Sequence, residues 1–355
     1  MVNKKIKRSV NEEGLPFVSV IVLNYNGKQH LKECFESLEK LNYPKDKYEV
    51  IMADNASSDG SVEYVTKSFP EVKVIKFNKN YGFSEGNNKA VECTKPKSEY
   101  LVFLNNDTEV DGKWLLELTS SVMKDETIKC VVGKMLNYYD RTIIDSAGDR
   151  ITPIGSGYNI GHLEKDDGRY NEIKYTSACG GAMLIEKEIF NKLNGFDRDY
   201  FAYLEDVDLC WKLWLYGYKT LYIPTAIVYH KMGGSFGGGR HIPLKLYLTQ
   251  KNRLSNMVKN LEIFNLFRGL IISVGYDIVK IIKHTINRKF DCVVAILKGN
   301  YMFIKELPKT LKKRKIIQKK RKRSDKELYK MGLISPLLKC IKKEINLSKR
   351  DYCGI

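Results

Sequence analysis

The sequence predicts an α/β fold, with a mostly parallel central sheet flanked by helices and a basic, amphipathic helical region at its C-terminal end. Strand-like and helix-like segments alternate from residue 17 to about residue 110, a pattern typical of a parallel sheet. The charge is divided along the chain: residues 240–355 carry 29 Lys and Arg against 8 Asp and Glu, or +21, whereas residues 1–239 carry −3. We therefore expect a near-neutral body and a basic region that meets an anionic partner.

Each of the first four predicted strands delivers polar side chains at its carboxyl end. The apolar runs FVSVIVL, YEVIMA, VKVIKF and EYLVFL lead to Asn24, Asp54, Asn80 and Asp107, respectively. Ligands of open α/β sheets bind at this edge, because the loops after the strands converge there. These four residues are therefore expected to share one site. The wholly apolar fourth strand is expected to lie in the middle of the sheet, buried on both faces.

The chain after the fourth strand continues the sheet differently. Residues 128–185 mix short apolar runs with glycine-bearing turns, which predicts an antiparallel or mixed extension. A helix over LEDVDLCWKLWLYG and a strand over KTLYIPTAIVYH follow, and then the glycine-rich segment 232–241. Such a segment is either a lid that closes on phosphates or a flexible linker.

Beyond about residue 245 the sequence predicts basic amphipathic helices. In residues 261–282, apolar side chains recur at helical spacing and form one stripe. Charged residues interrupt this segment too often for it to cross a bilayer, so it is expected either to lie on a membrane or to cover the protein's own core. The low-complexity tract KKRKIIQKKRKR occupies residues 312–323.

Three residues are candidates for holding a metal ion. Asn105 and Asp107, two places apart at the end of the fourth strand, are expected to leave on the same face and to offer oxygen ligands to a hard cation. His230 ends the last predicted strand, and the phosphates of a ligand would complete the shell of Mg²⁺ or Mn²⁺. The alternatives are a turn or helix-cap role for Asp107 and a structural role for His230.

A cluster of carboxylates at Glu205, Asp206 and Asp208 begins the predicted helix before the last strand. Acidic side chains suit the positive end of a helix dipole, so simple capping is one interpretation. The other is that one carboxylate at the mouth of the site acts as a general base. Asp54, likewise, either forms a turn with the residues after it or contacts a ligand.

Seven segments, taken in order, closely resemble glycosyltransferase family two, especially its rhamnosyltransferase-like branch, over about residues 16–255. The segments are VSVIVLNYNG, ADNASSDGS, NKNYGFSEGNN, LVFLNNDTEV, GGAMLI, YLEDVDLCWKLWLYGY and YHKMGGSFG. The resemblance implies a GT-A fold, a nucleotide diphosphate sugar as donor, a divalent metal, and transfer with inversion at the anomeric carbon.

The resemblance also implies a role for individual residues. Asp206 resembles the catalytic base, paired with Glu205. Asp107 and His230 resemble metal ligands, with Asn105 where the family motif begins with aspartate. The residues on the nucleotide-sugar side would be Asn24, Asn26, Asp54, Asn80, Gly82, Asn88 and Asn106, and those on the acceptor side Gly180, Gly181 and Trp211. Asp107 and Asp206 must then face a common cavity.

The expected partners follow from the same resemblance and from the charge. The donor would be a dTDP- or UDP-sugar, and the acceptor a glycan or a polyprenyl-linked glycan in cell-surface polysaccharide synthesis. The basic region could bind nucleic acid or anionic lipid by charge alone, but interleaved amphipathic helices favour an anionic membrane surface and disfavour nucleic acid.

The predicted organisation has three parts: a basic N-terminal tail (1–15), a catalytic domain (16–244) and a membrane-associating helical region (245–355). The first residues lack the apolar segment of a signal peptide, and the eight cysteines are widely spaced and expected to be reduced. We therefore expect a cytoplasmic protein, peripheral on the inner face of the membrane. Two other functions fit the sequence: a non-catalytic basic binding module and a nucleotidyltransferase.

Overall fold

A computed structural model describes residues 14–177, 180–231 and 242–342. It contains a ten-stranded mixed sheet, a two-stranded ribbon and helices on both sides. The strands are β1 (Val18–Asn24), β2 (Tyr48–Asp54), β3 (Lys73–Lys76), β4 (Tyr100–Asn105), β5 (Thr108–Val110), β6 (Ile128–Asn137), β7 (Ile143–Ser146), β8 (Asp149–Ile151), β9 (Gly157–Asn159), β10 (Glu164–Lys165), β11 (Ala182–Glu186) and β12 (Lys219–His230). The helices are α1 (Lys28–Glu39), α2 (Ser61–Ser68), α3 (Gly82–Glu92), α4 (Trp114–Val122), α5 (Lys187–Lys192), α6 (Glu205–Leu215), α7 (Ile242–Asn260), α8 (Ile263–Ile286), α9 (Phe290–Lys320) and α10 (Asp325–Lys330).

The first half of the sheet is parallel, with the order β4-β1-β2-β3. Strand β1 is buried on both faces: Val20 and Val22 belong to one apolar cluster, and Ile21 belongs to the cluster on the other side. This alternation follows from the two-residue period of a strand. Because the strands run in the same direction, their polar carboxyl ends meet at one edge.

The second half of the sheet is mixed, so the predicted antiparallel or mixed extension is confirmed. Strand β11 is antiparallel to β4 and β6, whereas β12 is parallel to β6 and antiparallel to the short β5. The register pairs His230 with Thr108. This pairing carries the last residue of β12 to the turn that holds Asp107, more than a hundred residues away in sequence.

The C-terminal helices share a core with the sheet domain. One apolar cluster contains Trp211 and Trp214 of α6, Met257 of α7, Phe303 of α9 and Leu328 of α10. Helix α7 also forms the main contact between α9 and the rest of the protein. The predicted boundary at residues 244–245 falls within the first turn of α7, a helix that packs directly against α6 of the sheet domain.

Part of the basic tract at 312–323 is bound within the protein. The Arg314 guanidinium donates to the carbonyl oxygens of Val258 and Leu261, at the end of α7, at 2.5 and 2.7 Å. Arg323 donates to the carbonyls of Gly217 and Tyr218, just beyond α6, at 2.9 and 2.8 Å. The Val258 carbonyl lies in the last turn of α7 and the other three lie just beyond α7 or α6, so the arginines are at the negative ends of the two helix dipoles. The charge of these arginines is therefore used in capping helices.

The predicted amphipathic stripe of residues 261–282 lies on α8. Its inner face, with Leu266, Gly269, Ser273 and Asp277, is buried. Its apolar outer face is exposed. Within the ranges that the structure covers, no helix is both long enough and apolar enough to cross a bilayer.

Candidate active site

A cavity of about 810 Å³ opens at the carboxyl ends of β1 and β4, between the sheet and the start of α6. Its walls also include part of α7 and the ribbon of β8 and β9. Ten of the residues predicted for the site line it: Asn24, Asn80, Gly82, Asn105, Asn106, Gly180, Gly181, Glu205, Asp206 and His230.

Asp54 lies behind the cavity wall and supports a residue that lines it. Its Oδ1 accepts a hydrogen bond from Nδ2 of Asn24 at 3.0 Å, and the Oδ1 of Asn24 in turn accepts one from Nδ2 of Asn106 at 2.7 Å. A Cβ atom at Gly27 would lie 2.2 Å from Asn106 Nδ2, so this position requires glycine. Asp54 and Gly27 therefore determine how Asn24 and Asn106 are oriented. The sequence analysis did not single out Gly27.

Three other predicted residues do not reach the cavity. Asn26 is exposed on a neighbouring loop, where its Oδ1 accepts a hydrogen bond from the backbone N–H of Ser58. Asn88 exchanges hydrogen bonds of 2.9 Å with the backbone of Phe196, on the far side of α3. Trp211 is fully buried in the core between α6 and the C-terminal helices. Asn88 and Trp211 lie on helix faces that pack inward, which a motif alone does not reveal.

Asp107, which was expected to face the same cavity as Asp206, is buried and does not line it. Strand β4 ends at Asn105, and Asp107 lies in the turn before β5. The two side chains therefore do not leave from one strand face. Instead, Asp107 Oδ1 lies 3.3 Å from Nε2 of His230, which lines the cavity.

Asp145 is a site residue that the sequence analysis missed. Its carboxylate contacts two histidines: Oδ2 lies 2.6 Å from Nδ1 of His230, and Oδ1 lies 3.1 Å from Nδ1 of His162. Burial by itself would lower the pKa of His230, but hydrogen bonds to Asp107 and Asp145 raise it to about 10. Asp145 lies in β7, and because β7 and β12 both pair with β6, it comes close to His230 at the end of β12; no local sequence signal marks it.

The residues present suit a divalent cation. Asp107 offers a carboxylate oxygen, and His230 would offer its Nε2 after a cation has displaced the proton from that atom; the contact of Nδ1 with Asp145 orients the imidazole. Mg²⁺ or Mn²⁺ would need further oxygen ligands, such as those of a diphosphate. Among the side chains in the described part of the chain, no group of three or more His, Cys, Asp or Glu is arranged to hold a metal ion.

Asp206 is held at the cavity wall by two backbone groups. Its Oδ2 accepts a hydrogen bond from the N–H of Gly180 at 2.7 Å, and its Oδ1 accepts one from the N–H of Val207 at 2.8 Å. The loss of water around it raises the pKa of Asp206, and these two N–H groups oppose the rise. A carboxylate with a raised pKa is a stronger base, so the environment suits proton abstraction.

Glu205 has a different environment from its neighbour. It is buried, and its Oε2 has no hydrogen-bond partner in the described part of the chain. Burial, together with the negative charge of Asp206, raises its pKa well above the usual value. Of the predicted pair, Asp206 is therefore the better candidate for the base.

Gly180 and Gly181 connect the two sides of the cavity. The carbonyl of Gly181 accepts a hydrogen bond from the N–H of Asn105 at 2.9 Å, and Gly180 donates to Asp206. Cβ atoms at these positions would lie 3.0 Å from Asp206 and 3.2 Å from Asn105. The pair of glycines thus lets the end of β4 and the start of α6 approach each other across the cavity.

The turn that presents Asp206 is strained and is held by α7. Tyr203 and Leu204 have φ values of 69° and 68°, a region that non-glycine residues enter at a cost of about 1–3 kcal/mol each. Asn252 Nδ2 donates to the carbonyls of Ala202 and Tyr203 at 3.0 and 2.8 Å. Asn256 Nδ2 donates to the carbonyl of Leu204 at 3.3 Å. Two asparagines of α7 therefore stabilise the conformation that places the carboxylate.

We expect Asn252→Ala to lower kcat by about ten- to a hundredfold, because a small displacement of a reacting group has effects of that size. Donor affinity should change little, since the substitution lies away from Asn24 and Asn80. Steady-state kinetics with a titration of donor binding would measure both. Ser255→Ala on the same helix is the matched control, because its hydroxyl bonds only within α7, to Lys251. A folded Asn252→Ala enzyme with wild-type kcat would contradict this role.

Two other predicted features lie outside the described residues. They are the glycine-rich segment 232–241, predicted as a lid or linker, and most of the N-terminal tail 1–15. The six cysteines that the structure describes are free thiols.

Comparison with known proteins places the chain in a family. Residues 19–193 match the family described as glycosyl transferase family 2, and residues 163–232 match the N-terminal domain of galactosyltransferase. Rhamnosyltransferase WbbL of Escherichia coli is 28% identical over 263 residues, which cover 67% of this chain and 95% of WbbL. The N-acetylglucosaminyl-diphospho-decaprenol L-rhamnosyltransferase of Mycobacterium tuberculosis is 23% identical over 243 residues, covering 61% and 77% of the two chains.

Solved structures agree on the fold. GalNAc-T7 with UDP, GalNAc and Mn²⁺ superposes with a TM-score of 0.54 at 23% identity, covering 70% of this chain and 48% of that one. The mannosyltransferase PcManGT from Pyrobaculum calidifontis, in complex with GDP-Man and Mn²⁺, gives a TM-score of 0.53 at 15% identity and covers 83% and 88%. Together with the ordered motifs, these matches show that the chain has the GT-A fold and contains a glycosyltransferase family 2 domain, with named relatives in the rhamnosyltransferase-like branch of that family.

Proposed function

We propose that this glycosyltransferase moves a hexosyl residue, with rhamnose as a leading candidate, from a dTDP- or UDP-sugar to a hydroxyl group of a glycan or polyprenyl-linked acceptor. Transfer would invert the anomeric carbon and depend on Mg²⁺ or Mn²⁺. One observation carries the proposal: Asp206 and His230 line the same cavity, and Gly180 and Gly181 connect its two sides. A proton acceptor and a place for a leaving diphosphate are thus available to one bound sugar.

Asp206 would take the proton of the acceptor hydroxyl as that oxygen attacks the anomeric carbon. The N–H groups of Gly180 and Val207 fix the direction of the carboxylate, so the attacking oxygen can be aligned opposite the leaving group. A single displacement of this kind inverts the anomeric centre and needs no covalent enzyme intermediate. Burial and the charge of Asp206 favour the neutral form of Glu205, so Asp206 is the better placed of the two to take the proton.

The leaving diphosphate would lie on the side of Asp107 and His230. Bound Mg²⁺ or Mn²⁺ would neutralise negative charge that develops there. Asp145 would keep the His230 ring oriented toward Asp107. Asn24, Asn80 and Asn106 would offer hydrogen bonds to the nucleotide side of the donor, with Asp54 supporting Asn24 and, through it, Asn106.

The proposed partners rest on relatives and on charge. Two relatives are named as rhamnosyltransferases, one of them for N-acetylglucosaminyl-diphospho-decaprenol, and neighbouring structures contain UDP or GDP-Man with Mn²⁺. A lipid-linked acceptor would require an enzyme at a membrane, and the basic residues of 240–355 suit an anionic one. We therefore propose a peripheral location on the inner face of the cell membrane and a role in cell-surface polysaccharide synthesis.

The test is a screen of nucleotide sugars, each with and without Mn²⁺ or Mg²⁺, for a thermal shift and for release of nucleoside diphosphate. A donor at a hundred times its Kd should stabilise the protein by about 2.7 kcal/mol, and omission of the metal should reduce the shift. Proton NMR of the product would show whether the anomeric configuration has inverted. Release of pyrophosphate would indicate a nucleotidyltransferase instead. Binding of anionic membranes or nucleic acid, with no thermal shift and no product release for any nucleotide sugar, would indicate a non-catalytic binding module.

A further inference from the structure

Helices α8 and α9 expose a large apolar surface on the side away from the sheet. Phe264 and Ile271 are each 76% exposed and Val294 is 61% exposed, values that are unusual for large apolar side chains. We call this surface the α8–α9 apolar face, and it comprises Ile263, Phe264, Phe267, Ile271, Val274, Ile278, Val279, Ile282, Ile286, Phe290, Val294, Leu297, Tyr301 and Ile304.

The two halves of this face lie side by side. Helices α8 and α9 contact each other and are joined by residues 287–289 alone. Asn300 of α9 and Asp277 of α8 also meet at the seam, at 3.4 Å. The inner sides of both helices pack toward α7: Asp277 pairs with Arg253, and Gly299 lies against Tyr247 and Gln250. The outer sides thus form one continuous apolar surface. Exposed apolar side chains on an ordinary protein surface are scattered singly instead.

The charges around this face are almost all positive. Of the acidic residues in α8 and α9, Asp277 pairs with Arg253 and Glu306 pairs with Lys251 at 3.2 Å, which leaves Asp291. Between residues 263 and 305, which contain the apolar face, the basic residues are Arg268, Lys280, Lys283, Arg288, Lys289, Lys298 and Lys305. The α8–α9 apolar face and the basic residues near it are complementary to a partner with an apolar interior and an anionic surface.

We propose that the α8–α9 apolar face inserts into the interfacial layer of an anionic lipid bilayer, with both helices lying in the membrane plane. Apolar side chains would enter the acyl boundary to a depth of about 5–10 Å, while lysines extend to the headgroups. A second copy of this chain is the weaker candidate, because its positive rim would face an identical positive rim. Insertion adds a hydrophobic contribution that the basic charge alone does not supply.

This insertion would place the bilayer next to the cavity. Tyr247 and Gln250, which contact α9, lie within one helical turn of Lys245 and Thr249, which line the cavity. If the proposed transferase function holds, an acceptor hydroxyl carried on a membrane lipid would reach Asp206 from the side of α7. A lipid-linked acceptor is therefore the class that this arrangement suits best.

The first experiment measures sedimentation with vesicles of one part phosphatidylglycerol to two parts phosphatidylcholine. The triple variant Phe264→Ser, Phe267→Ser, Ile271→Ser should lose at least about a hundredfold in partition, because three apolar side chains no longer enter the bilayer. The matched control is Met123→Ser, Tyr139→Ser, Leu338→Ser, which alters exposed apolar residues elsewhere and should bind as wild type. Salt should weaken wild-type binding without abolishing it, because salt screens charges only.

The second experiment reports insertion directly. The three native tryptophans, Trp114, Trp211 and Trp214, are fully buried. A tryptophan added on the α8–α9 apolar face would therefore be the exposed one, and its fluorescence would report contact with lipid. Phe267→Trp should be quenched by brominated lipids and shifted to the blue on adding vesicles. The same substitution at another exposed aromatic site, Tyr139→Trp, should show neither effect.

Three results would overturn the inference. They are wild-type partition of the triple serine variant, a Phe267→Trp signal that ignores brominated lipid, and a dimer in sedimentation equilibrium that dissociates on the triple substitution. The last result would assign the face to a second copy of the chain. The proposed transferase function is tested separately, because release of nucleoside diphosphate with a water-soluble acceptor should be unchanged in the triple variant. Vesicle binding without any transferase activity would leave insertion intact and refute only that function.

Discussion

Replacing Asp206 by asparagine is expected to lower turnover at least about a hundredfold, the usual scale for loss of a general base. The amide keeps the size of the side chain but cannot accept the proton of the acceptor hydroxyl. Donor affinity should remain, because the proposed nucleotide side of the cavity is formed by other residues, Asn24, Asn80 and Asn106. Single-turnover kinetics and calorimetric titration with the donor would separate the two effects.

Glu205→Gln is the matched variant for this experiment. Burial raises the pKa of Glu205 and so favours its neutral form, which an amide resembles, and we expect a much smaller loss of turnover. The wild-type pH profile offers a second check. Because the pKa of Asp206 is raised, turnover should fall with decreasing pH from a point above the usual aspartate value of 3.8. Near-normal turnover in Asp206→Asn, or a larger loss in Glu205→Gln, would assign the base elsewhere.

Lys259→Met is expected to produce the largest loss of stability among single substitutions in α7. Lys259 is 1% exposed, and its ammonium lies 2.7 Å from Asp197 and 2.9 Å from Asp208. Removing one partner of a buried ion pair lowers the free energy of unfolding by up to about 3–5 kcal/mol, and here Asp197 would keep only Lys313 and Asp208 only Lys212 among their lysine partners in the described residues. Urea denaturation followed by circular dichroism would measure the change.

The control is Lys309→Met, in which an exposed lysine 3.8 Å from Asp199 is removed. Exposed pairs of this kind contribute less than about 1 kcal/mol. Burial alone would raise the pKa of Asp197, but the charge of Lys259 and its neighbours lowers it. The stabilisation from this pair is therefore present above the unfolded-state pKa and lost as the pH falls toward the folded one. Equal unfolding midpoints for Lys259→Met and Lys309→Met would show that the buried pair does not anchor α7.

The strand and helix pattern of the first half of the chain was predictable from the sequence. Val20, Ile21 and Val22 alternate between two apolar clusters as a two-residue period requires, and the polar residues after β1 and β4 do line one cavity. The ordered motifs also identified the family. These features are local, because each depends on residues within a short window whose periodicity or turn chemistry can be read directly.

Other site residues could not be assigned in this way. Asp54 and Asn24 both follow strands, yet one supports the cavity wall and the other lines it. Asp145 reaches His230 only because β7 pairs with β6 and β6 with β12. Asn252 looks like an ordinary residue of a helix, and its contact with the turn at Tyr203 is fixed by the packing of α7 on α6.

The sequence by itself thus determined the class of fold, the family, the polar strand ends and the amphipathic character of the C-terminal helices. The tertiary structure alone decided which polar residues face the cavity, which arginines cap helix ends, and which side of α8 and α9 stays uncovered. The reason is physical. Periodicity shows which face of a strand or helix is apolar, whereas the side chain that packs against that face comes from a distant segment of the chain.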